Sequence, residues 1–329
     1  MLGYILRRIL LLIPTLIGIT VVAFVIIELP PGDYLTAHVM NLAAGGDVVD
    51  QEQVEALRRQ YGLDLPLHLR YLHWMGNMFR GDFGRSFEWN MPVSDLIWER
   101  LAITLAITVT TLLFTWVVGF AIGTYSATHQ YSFFDYLFTA LGFVGLGTPD
   151  FMIALVLLWF AFSLFGVNLS GLFSPEFQSE PWSFAKVIDM FKHMWVPLLI
   201  LGTGGTAGMA RTMRANLLDE LQKPYVETGR AKGLKEWRLI FKYPVRVALN
   251  PFISTAGWAL PRLVSGATIV SVVLGLPTAG PLLLKALMGQ DMYLAASFVM
   301  LLSVLTVIGT LISDILLAFV DPRIRYGSH

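Results

Sequence analysis

The residues whose spacing most clearly predicts a function lie between Tyr225 and Pro251, a basic segment flanked by long apolar runs. Apolar side chains recur there at the interval of one helix face, at Leu234, Trp237, Ile240 and Phe241. Charged residues fill the positions between them, and the small residues from Thr228 to Gly233 indicate a turn ahead of the helix. This pattern predicts a short amphipathic helix whose apolar stripe enters a groove on another protein. An ordinary positively charged cytoplasmic loop is the alternative.

The sequence holds no recognisable set of residues for catalysis or metal binding. It has no cysteine, which excludes disulfides, thiolate zinc sites and cysteine nucleophiles. The histidines show no metal-ligand spacing. Even His68 and His73 are five residues apart, so their side chains do not lie on the same helix face. The run from Gly202 to Gly208 lacks the lysine of a phosphate-binding loop, and close helix packing explains it better. Because the net charge is zero, nothing favours nucleic-acid binding. We therefore expect a conduit that binds no nucleotide or other cofactor and is not an enzyme.

Composition indicates a protein embedded in a membrane. Of the 329 residues, 55% are hydrophobic and 14% are charged, whereas about a quarter of the residues in soluble domains are charged. Six runs are long and apolar enough to cross a bilayer: Ile9–Leu29, Leu101–Thr128, Tyr136–Phe165, Met194–Ala210, Asn250–Leu276 and Met292–Val320. The first run has no small-residue cleavage site, so we expect it to be retained as a membrane helix.

The basic residues predict the orientation of these spans. Nine of the 23 basic residues lie between Arg211 and Arg246, and further arginines flank the first and last spans. Both termini and this loop are therefore expected in the cytoplasm. Residues 31–100 would lie on the opposite side as a cap, with helices at Gln51–Gln60 and His68–Phe79.

The predicted fold is thus an all-α membrane protein with six transmembrane helices. An extracytoplasmic cap lies between helices 1 and 2, and a cytoplasmic coupling helix between helices 4 and 5. The regions are residues 1–30 (N-terminus and first helix), 31–100 (cap), 101–320 (five-helix core with the coupling loop 211–250) and 321–329 (cytoplasmic tail).

Asp150, which follows Pro149 in the third span, is the most costly side chain to place in the membrane. Proline breaks the backbone hydrogen bonding, and irregular backbone at membrane depth is tolerated only where protein or water covers it. One interpretation makes Asp150, Pro149 and Arg262 part of a translocation path or gate. In the other, Asp150 lies nearer the interface, or pairs with Arg262 to hold helices together. The sequence leaves both interpretations open.

The basic segment resembles the cytoplasmic coupling loop of bacterial ABC importer permeases. Ala231-Lys232-Gly233 is similar to the version found in the dipeptide/oligopeptide (binding-protein-dependent) family. Further motifs of that family follow in order along the whole chain: Arg7-Arg8-Ile9-Leu10, Pro31-Gly32-Asp33, Tyr61-Gly62-Leu63-Asp64-Leu65-Pro66, Gly81-Asp82-Phe83-Gly84-Arg85-Ser86 and Asp321-Pro322-Arg323-Ile324-Arg325-Tyr326-Gly327. Gly229 departs from the pattern, which usually has alanine there, a small-for-small change expected to matter little. The outer loop Gly166–Lys192 is also long for a dipeptide-type permease, which bears on the cargo more than on the mechanism.

The resemblance implies a permease subunit of the bacterial inner membrane, surrounded by lipid, that forms a path for peptides with a second homologous permease. It also implies one or two ATPase subunits, which use ATP and Mg, in the cytoplasm and a periplasmic or lipid-anchored solute-binding protein outside. The ATPase contacts would fall on Glu227, Thr228, Gly229, Arg230, Ala231, Lys232, Gly233, Leu234, Trp237, Arg238 and Phe241. Oligosaccharides or nickel chelates are alternative cargoes. An ion-coupled secondary transporter is the competing class, although the expected inverted repeat is not evident.

Overall fold

The computed structural model describes residues 2–28, 51–60, 64–250, 252 and 267–320, and the regular structure of these residues is helical, in agreement with the predicted all-α class. The helices are α1 (Leu2–Glu28), α2 (Gln51–Gln60), α3 (Leu67–Phe79), α4 (Val93–Thr128), α5 (Phe133–Gly147), α6 (Asp150–Phe165), α7 (Phe184–His193), α8 (Trp195–Leu221), α9 (Pro224–Ala231), α10 (Glu236–Lys242), α11 (Pro244–Ala248), α12 (Ala267–Leu274), α13 (Ala279–Met288) and α14 (Met292–Val320). The predicted helix at 51–60 is present with the same bounds.

Several of these helices have the length and hydropathy of membrane spans. Within the described residues, α4 and the Met292–Ile312 part of α14 qualify alone, and the number rises to four if each of two bent helix pairs is one span. α1 adds a shorter apolar stretch, Leu10–Ile26. α8 covers the predicted fourth span except its first residue, Met194, but does not qualify, and its second half carries Arg211 and Arg214. The count of six spans therefore stays a prediction, as does the side on which each loop lies.

The predicted third span, Tyr136–Phe165, consists of two helices separated by a break. α5 ends at Gly147, α6 begins at Asp150, and the two helices are bent by 106°. Pro149 supplies the reason, because its backbone is extended (φ −59°, ψ 138°) and it has no N–H with which to continue the hydrogen bonding. The predicted break of the backbone at this proline is confirmed. A second bend, of 91°, separates α12 from α13.

The chain divides into two compact units. The first comprises residues 104–277 and the chain from 308, and the second comprises residues 2–103 and 278–307. In the first unit, side chains from both the long helices and the short helices that follow α8 form a buried core: Ala127, Met213, Leu217, Ile240, Val245, Ala248 and Phe252. The core therefore ties these short helices to α4 and α8.

In the second unit, α3 packs against α1, and it starts at Leu67, one residue before the predicted start. The buried cluster there consists of Phe24, Trp74, Met78, Phe87, Met292 and Ala296. Arg70 and Glu28 form an ion pair at 2.8 Å beside this cluster. Gly81 and Gly84 of the motif Gly81–Ser86 adopt φ values of 81° and 80°, which glycine reaches without a Cβ penalty.

Candidate functional site: the coupling segment

Residues 224–242, here called the coupling segment, comprise α9, a short connection and α10. α9 begins at Pro224, whose fixed φ suits the first helical position, and Glu227 lies in its first turn, where the helix dipole favours a carboxylate. The helix ends in a Schellman motif. The N–H of Leu234 donates to the carbonyl of Gly229 (3.2 Å), and the N–H of Gly233 donates to the carbonyl of Arg230 (2.9 Å). Gly233 adopts φ 76°, which glycine reaches without a Cβ penalty.

The predicted turn from Thr228 to Gly233 is wrong over most of its length. Thr228 to Ala231 are helical, and only Lys232 and Gly233 form the turn. The sequence reasoning took small residues as turn formers. Here Gly229, the one buried residue among them, allows close packing of two helices instead.

α10 divides its apolar residues between the protein interior and the surface. Leu239 and Ile240 are buried, whereas Trp237 is 61% exposed and Phe241 and Leu234 are also exposed. Trp237 and Phe241 are four residues apart, so they share one face of the helix. The predicted stripe is therefore wrong at Ile240, which belongs to the core of the first unit. The surface available to a partner consists of Leu234, Trp237 and Phe241.

α9 and α10 are held together by the contact between Gly229 and Leu239. A Cβ atom added to Gly229 would collide with Cδ1 of Leu239, whose side chain is 1% exposed. Val226, one turn earlier in α9, is also fully buried. Leu239 therefore occupies the space that an alanine side chain would need at position 229. The expectation that glycine in place of alanine matters little at this position stays a prediction, because the colliding atom is the end of a flexible side chain.

An ion pair also joins the two helices. Nη2 and Nε of Arg230 donate hydrogen bonds to Oε1 of Glu236 at 2.6 and 3.1 Å. These hydrogen bonds hold the pKa of the Glu236 carboxyl below its ordinary value, so the pair is charged at neutral pH. Both side chains are about half exposed, and a pair of this kind contributes about 1 kcal/mol or less. Its main effect is to fix the geometry of the connection.

The coupling segment rests on the end of α4. A cavity of about 650 Å³ lies between them, lined from α4 by residues such as Phe120 and Tyr125 and from the coupling segment by Arg230, Glu236 and Phe241. The rings of Phe120 and Phe241 meet edge to face with centroids 6.5 Å apart. A displacement of α10 would therefore act directly on α4, and through the core around Ile240 on α8 as well.

The exposed side of the coupling segment has the composition of a protein-binding surface. The guanidinium of Arg238 lies 5.2 Å from the centroid of the Trp237 ring, a cation–π arrangement. Tryptophan and arginine are the residues that most often dominate binding energy at interfaces. Of the eleven predicted ATPase contacts only Gly229 is buried, and the exposed ones are Glu227, Thr228, Arg230, Ala231, Lys232, Gly233, Leu234, Trp237, Arg238 and Phe241.

The predicted path residues lie elsewhere in the first unit. Asp150 is the first residue of α6, where the helix dipole stabilises its half-buried carboxylate. A Cβ atom added to Gly204 would lie 3.8 Å from Oδ1 of Asp150, so the carboxylate faces α8. Pro149 is the N-cap residue of the same helix. Arg262 lies outside the described residues, so the structure does not describe the suggested pair between Asp150 and Arg262.

A second cavity, of about 600 Å³, runs between α4, α5 and α8. Its lining is mainly apolar, with Arg211 and Arg214 among the polar residues and without Asp150 or Pro149. Arg214 forms a bidentate ion pair with the buried Asp135, in which Nε donates to Oδ1 at 2.8 Å and Nη2 to Oδ2 at 2.9 Å. Sequence reasoning missed this pair because the partners are 79 residues apart. The only local signal is Ser132, whose side chain caps α5 at the N–H of Asp135.

The sequence matches known membrane transport proteins over its full length. Residues 119–326 match the family described as the inner membrane component of binding-protein-dependent transport systems, and residues 1–108 match the N-terminal region of such components. The oligopeptide transport system permease protein AppB of Bacillus subtilis is 36% identical, over 99% of this chain and 100% of its own length. The dipeptide permease DppB of Alkalihalophilus pseudofirmus and the glutathione permease GsiC of Salmonella typhimurium are each 32% identical, over 99% of this chain and 100% of their own lengths.

A solved structure supports the fold. A chain of the MetNI methionine ABC transporter, in inward facing conformations, superposes with a TM-score of 0.53 over 69% of this chain and 96% of its own, at 18% identity. The fold is thus that of an ABC transporter permease. Together with the sequence matches, this establishes that the chain is a membrane protein belonging to the family of inner membrane components of binding-protein-dependent transport systems.

Proposed function

We propose that this chain forms one half of the translocation path of an ATP-driven importer for peptides. The observation that carries the proposal is the coupling segment, whose exposed Trp237 and Phe241 are fixed to α4 and α8 by buried contacts. The relatives named above support peptides as the cargo, since they are named for oligopeptides, a dipeptide system and glutathione. We favour peptides over oligosaccharides and nickel chelates for that reason.

The partners follow from this assignment. A second permease subunit completes the path, and one or two ATPase subunits bind ATP and Mg and receive the coupling segment in a surface cleft. A solute-binding protein delivers the peptide to the opposite side of the membrane. Both chain termini and the coupling segment then lie in the cytoplasm.

The geometry suggests how the ATPase acts on the path. When the ATPase subunits close on ATP, they displace α10, because its exposed aromatic face lies in their cleft. Ile240 and Phe241 transmit this displacement to the inner ends of α4 and α8. The two states of the path then differ in how these helices pack, and ATP binding favours one of them. Hydrolysis restores the other state.

The experiment that tests this function is purification of the chain from its native membrane in mild detergent, followed by mass spectrometry and reconstitution. We expect a second permease and one or two ATPases to co-purify, and a labelled dipeptide to enter vesicles only with ATP and the binding protein. A chain that purifies alone and transports solute with an ion gradient would refute the proposal in favour of a secondary transporter.

A further inference from the structure

In helix α7 the buried face carries charged side chains and the exposed face carries large apolar ones, the reverse of an ordinary amphipathic helix. Two of its charged side chains face the protein, since Lys186 is 3% and Asp189 6% exposed. Its large apolar side chains face outward, and Phe184 is 82% exposed, with Ile188 and Phe191 also exposed. The spacing of four and then three residues places these three on one helix face.

The buried charged side chains of α7 have hydrogen-bond partners. Nζ of Lys186 donates a hydrogen bond to the carbonyl of Glu180 at 2.5 Å and lies 5.1 and 5.4 Å from the ring centroids of Phe173 and Trp182. The carboxylate of Asp189 accepts hydrogen bonds from the N–H and the hydroxyl of Ser174, both at 2.7 Å. These contacts fix the rotation of α7, so its apolar face cannot turn inward.

Exposed apolar side chains also occur at the helix ends that precede and follow α7 in sequence. Trp195, the first residue of α8, is exposed and lies four residues after Phe191. The loop leading to α7 starts at the end of α6, where Phe162, Leu164 and Phe165 are exposed apolar residues of a bent pair long enough to cross a membrane. α7 is therefore flanked in sequence by two apolar, outward-facing helix ends. Exposed large apolar side chains on one helix face mark contact with a membrane or a partner.

The residue types on this face favour contact with the membrane over contact with a partner protein. It combines phenylalanine, isoleucine and tryptophan with Lys192, which is exposed beside Phe191. Aromatic residues concentrate where the hydrocarbon meets the headgroups, and a lysine there extends its ammonium group toward anionic phosphates. A protein interface would instead be depleted in lysine.

We infer that the outward face of α7 lies in the interfacial layer of the bilayer, with Phe184, Ile188 and Phe191 among acyl chains and Lys192 at the lipid phosphates. The long loop that contains α7 then serves as a lipid-anchored support for the start of α8. This inference does not depend on the cargo or on the ATPase.

The chain contains no cysteine, so a single introduced cysteine can carry a spin label without further changes. The test uses Ile188→Cys and, separately, Phe184→Cys in the assembled complex, in nanodiscs of phosphatidylethanolamine and phosphatidylglycerol. Ser179→Cys, in the exposed part of the same loop, is the matched control. Retained peptide-stimulated ATP hydrolysis in each variant shows that the fold is intact.

We expect the labels at 188 and 184 to collide with oxygen, which dissolves in lipid, several-fold more often than with a water-soluble nickel complex. The control label should show the opposite ratio. Labels at 188 and 184 that are reached mainly by the nickel complex would place the face in water and overturn the inference. Labels reached by neither reagent would show that another subunit covers the face, and this would overturn it as well.

Discussion

The contact between Gly229 and Leu239 makes a quantitative prediction about the coupling segment. Replacing glycine by alanine inside a helix stabilises it by about 1 kcal/mol, because the backbone of the unfolded chain has less freedom to lose. Here the new methyl group collides with Cδ1 of Leu239, and overpacking of this kind costs about 1–3 kcal/mol. The second effect exceeds or balances the first. Gly229→Ala should therefore destabilise the segment by about 0–2 kcal/mol in the native background.

The sign should reverse when the colliding atom is removed. Valine has no δ carbon, so Gly229→Ala in a Leu239→Val background retains only the helix-forming gain of about 1 kcal/mol. The two backgrounds should thus differ by an interaction energy of about 1–3 kcal/mol. Gly76→Ala in α3 is a suitable control, since nothing lies within 4 Å of its added Cβ atom. This substitution should therefore only stabilise its helix.

Hydrogen exchange of the amides in residues 224–242 measures this directly, because it reports local opening of the segment. Gly229→Ala should speed exchange by a factor of up to about 30 in the native background and slow it about fivefold in the Leu239→Val background. Equal effects in both backgrounds, within about 0.5 kcal/mol, would refute the packing of α9 on α10 described above.

Three further substitutions test other parts of the structure. Gly233→Ala should cost about 1 kcal/mol, because its φ of 76° is unfavourable for residues with a Cβ atom, while Gly233→Asn should cost less; hydrogen exchange of the same segment measures both. Asp135→Asn should cost about 3 kcal/mol and lower the melting temperature, since it leaves Arg214 unpaired, and adding Arg214→Gln should recover part of the loss. Asp150→Asn should change peptide uptake or its ATPase coupling if the carboxylate lines the path, whereas a fall in protein yield alone would assign it a structural role.

The sequence predicted the membrane class, the location of most helices and a short helix after Gly233. Those features depend on local hydropathy and on residue spacing along one chain. The helix α2, for example, has the predicted bounds because its pattern needs no tertiary information. The motifs and their order along the chain also indicated the family, which the comparisons confirm.

The features that the sequence did not predict depend on contacts between residues that are far apart along the chain. Ile240 and Leu239 occupy neighbouring positions of one apolar run, and only packing shows that both are buried while Trp237 is exposed. The helical state of Thr228–Ala231 follows from packing of Gly229 against Leu239, which the local composition of small residues does not reveal. The inverted face of α7 was hidden for the same reason, because its sequence alone does not say which side faces the protein.

The central claim is that Trp237 and its neighbours receive the ATPase, and Trp237→Asp tests it most directly. The side chain is 61% exposed, so the substitution should leave folding and the partner permease unaffected. Binding of the purified ATPase subunit to the permease pair in nanodiscs is the measurement, with Phe79→Asp in α3 as an exposed aromatic control. If Trp237 dominates the interface, the loss of at least about 2 kcal/mol lowers ATPase affinity by about 30-fold and abolishes peptide-stimulated ATP hydrolysis. Native ATPase affinity with undiminished peptide-stimulated ATP hydrolysis in Trp237→Asp would contradict the account.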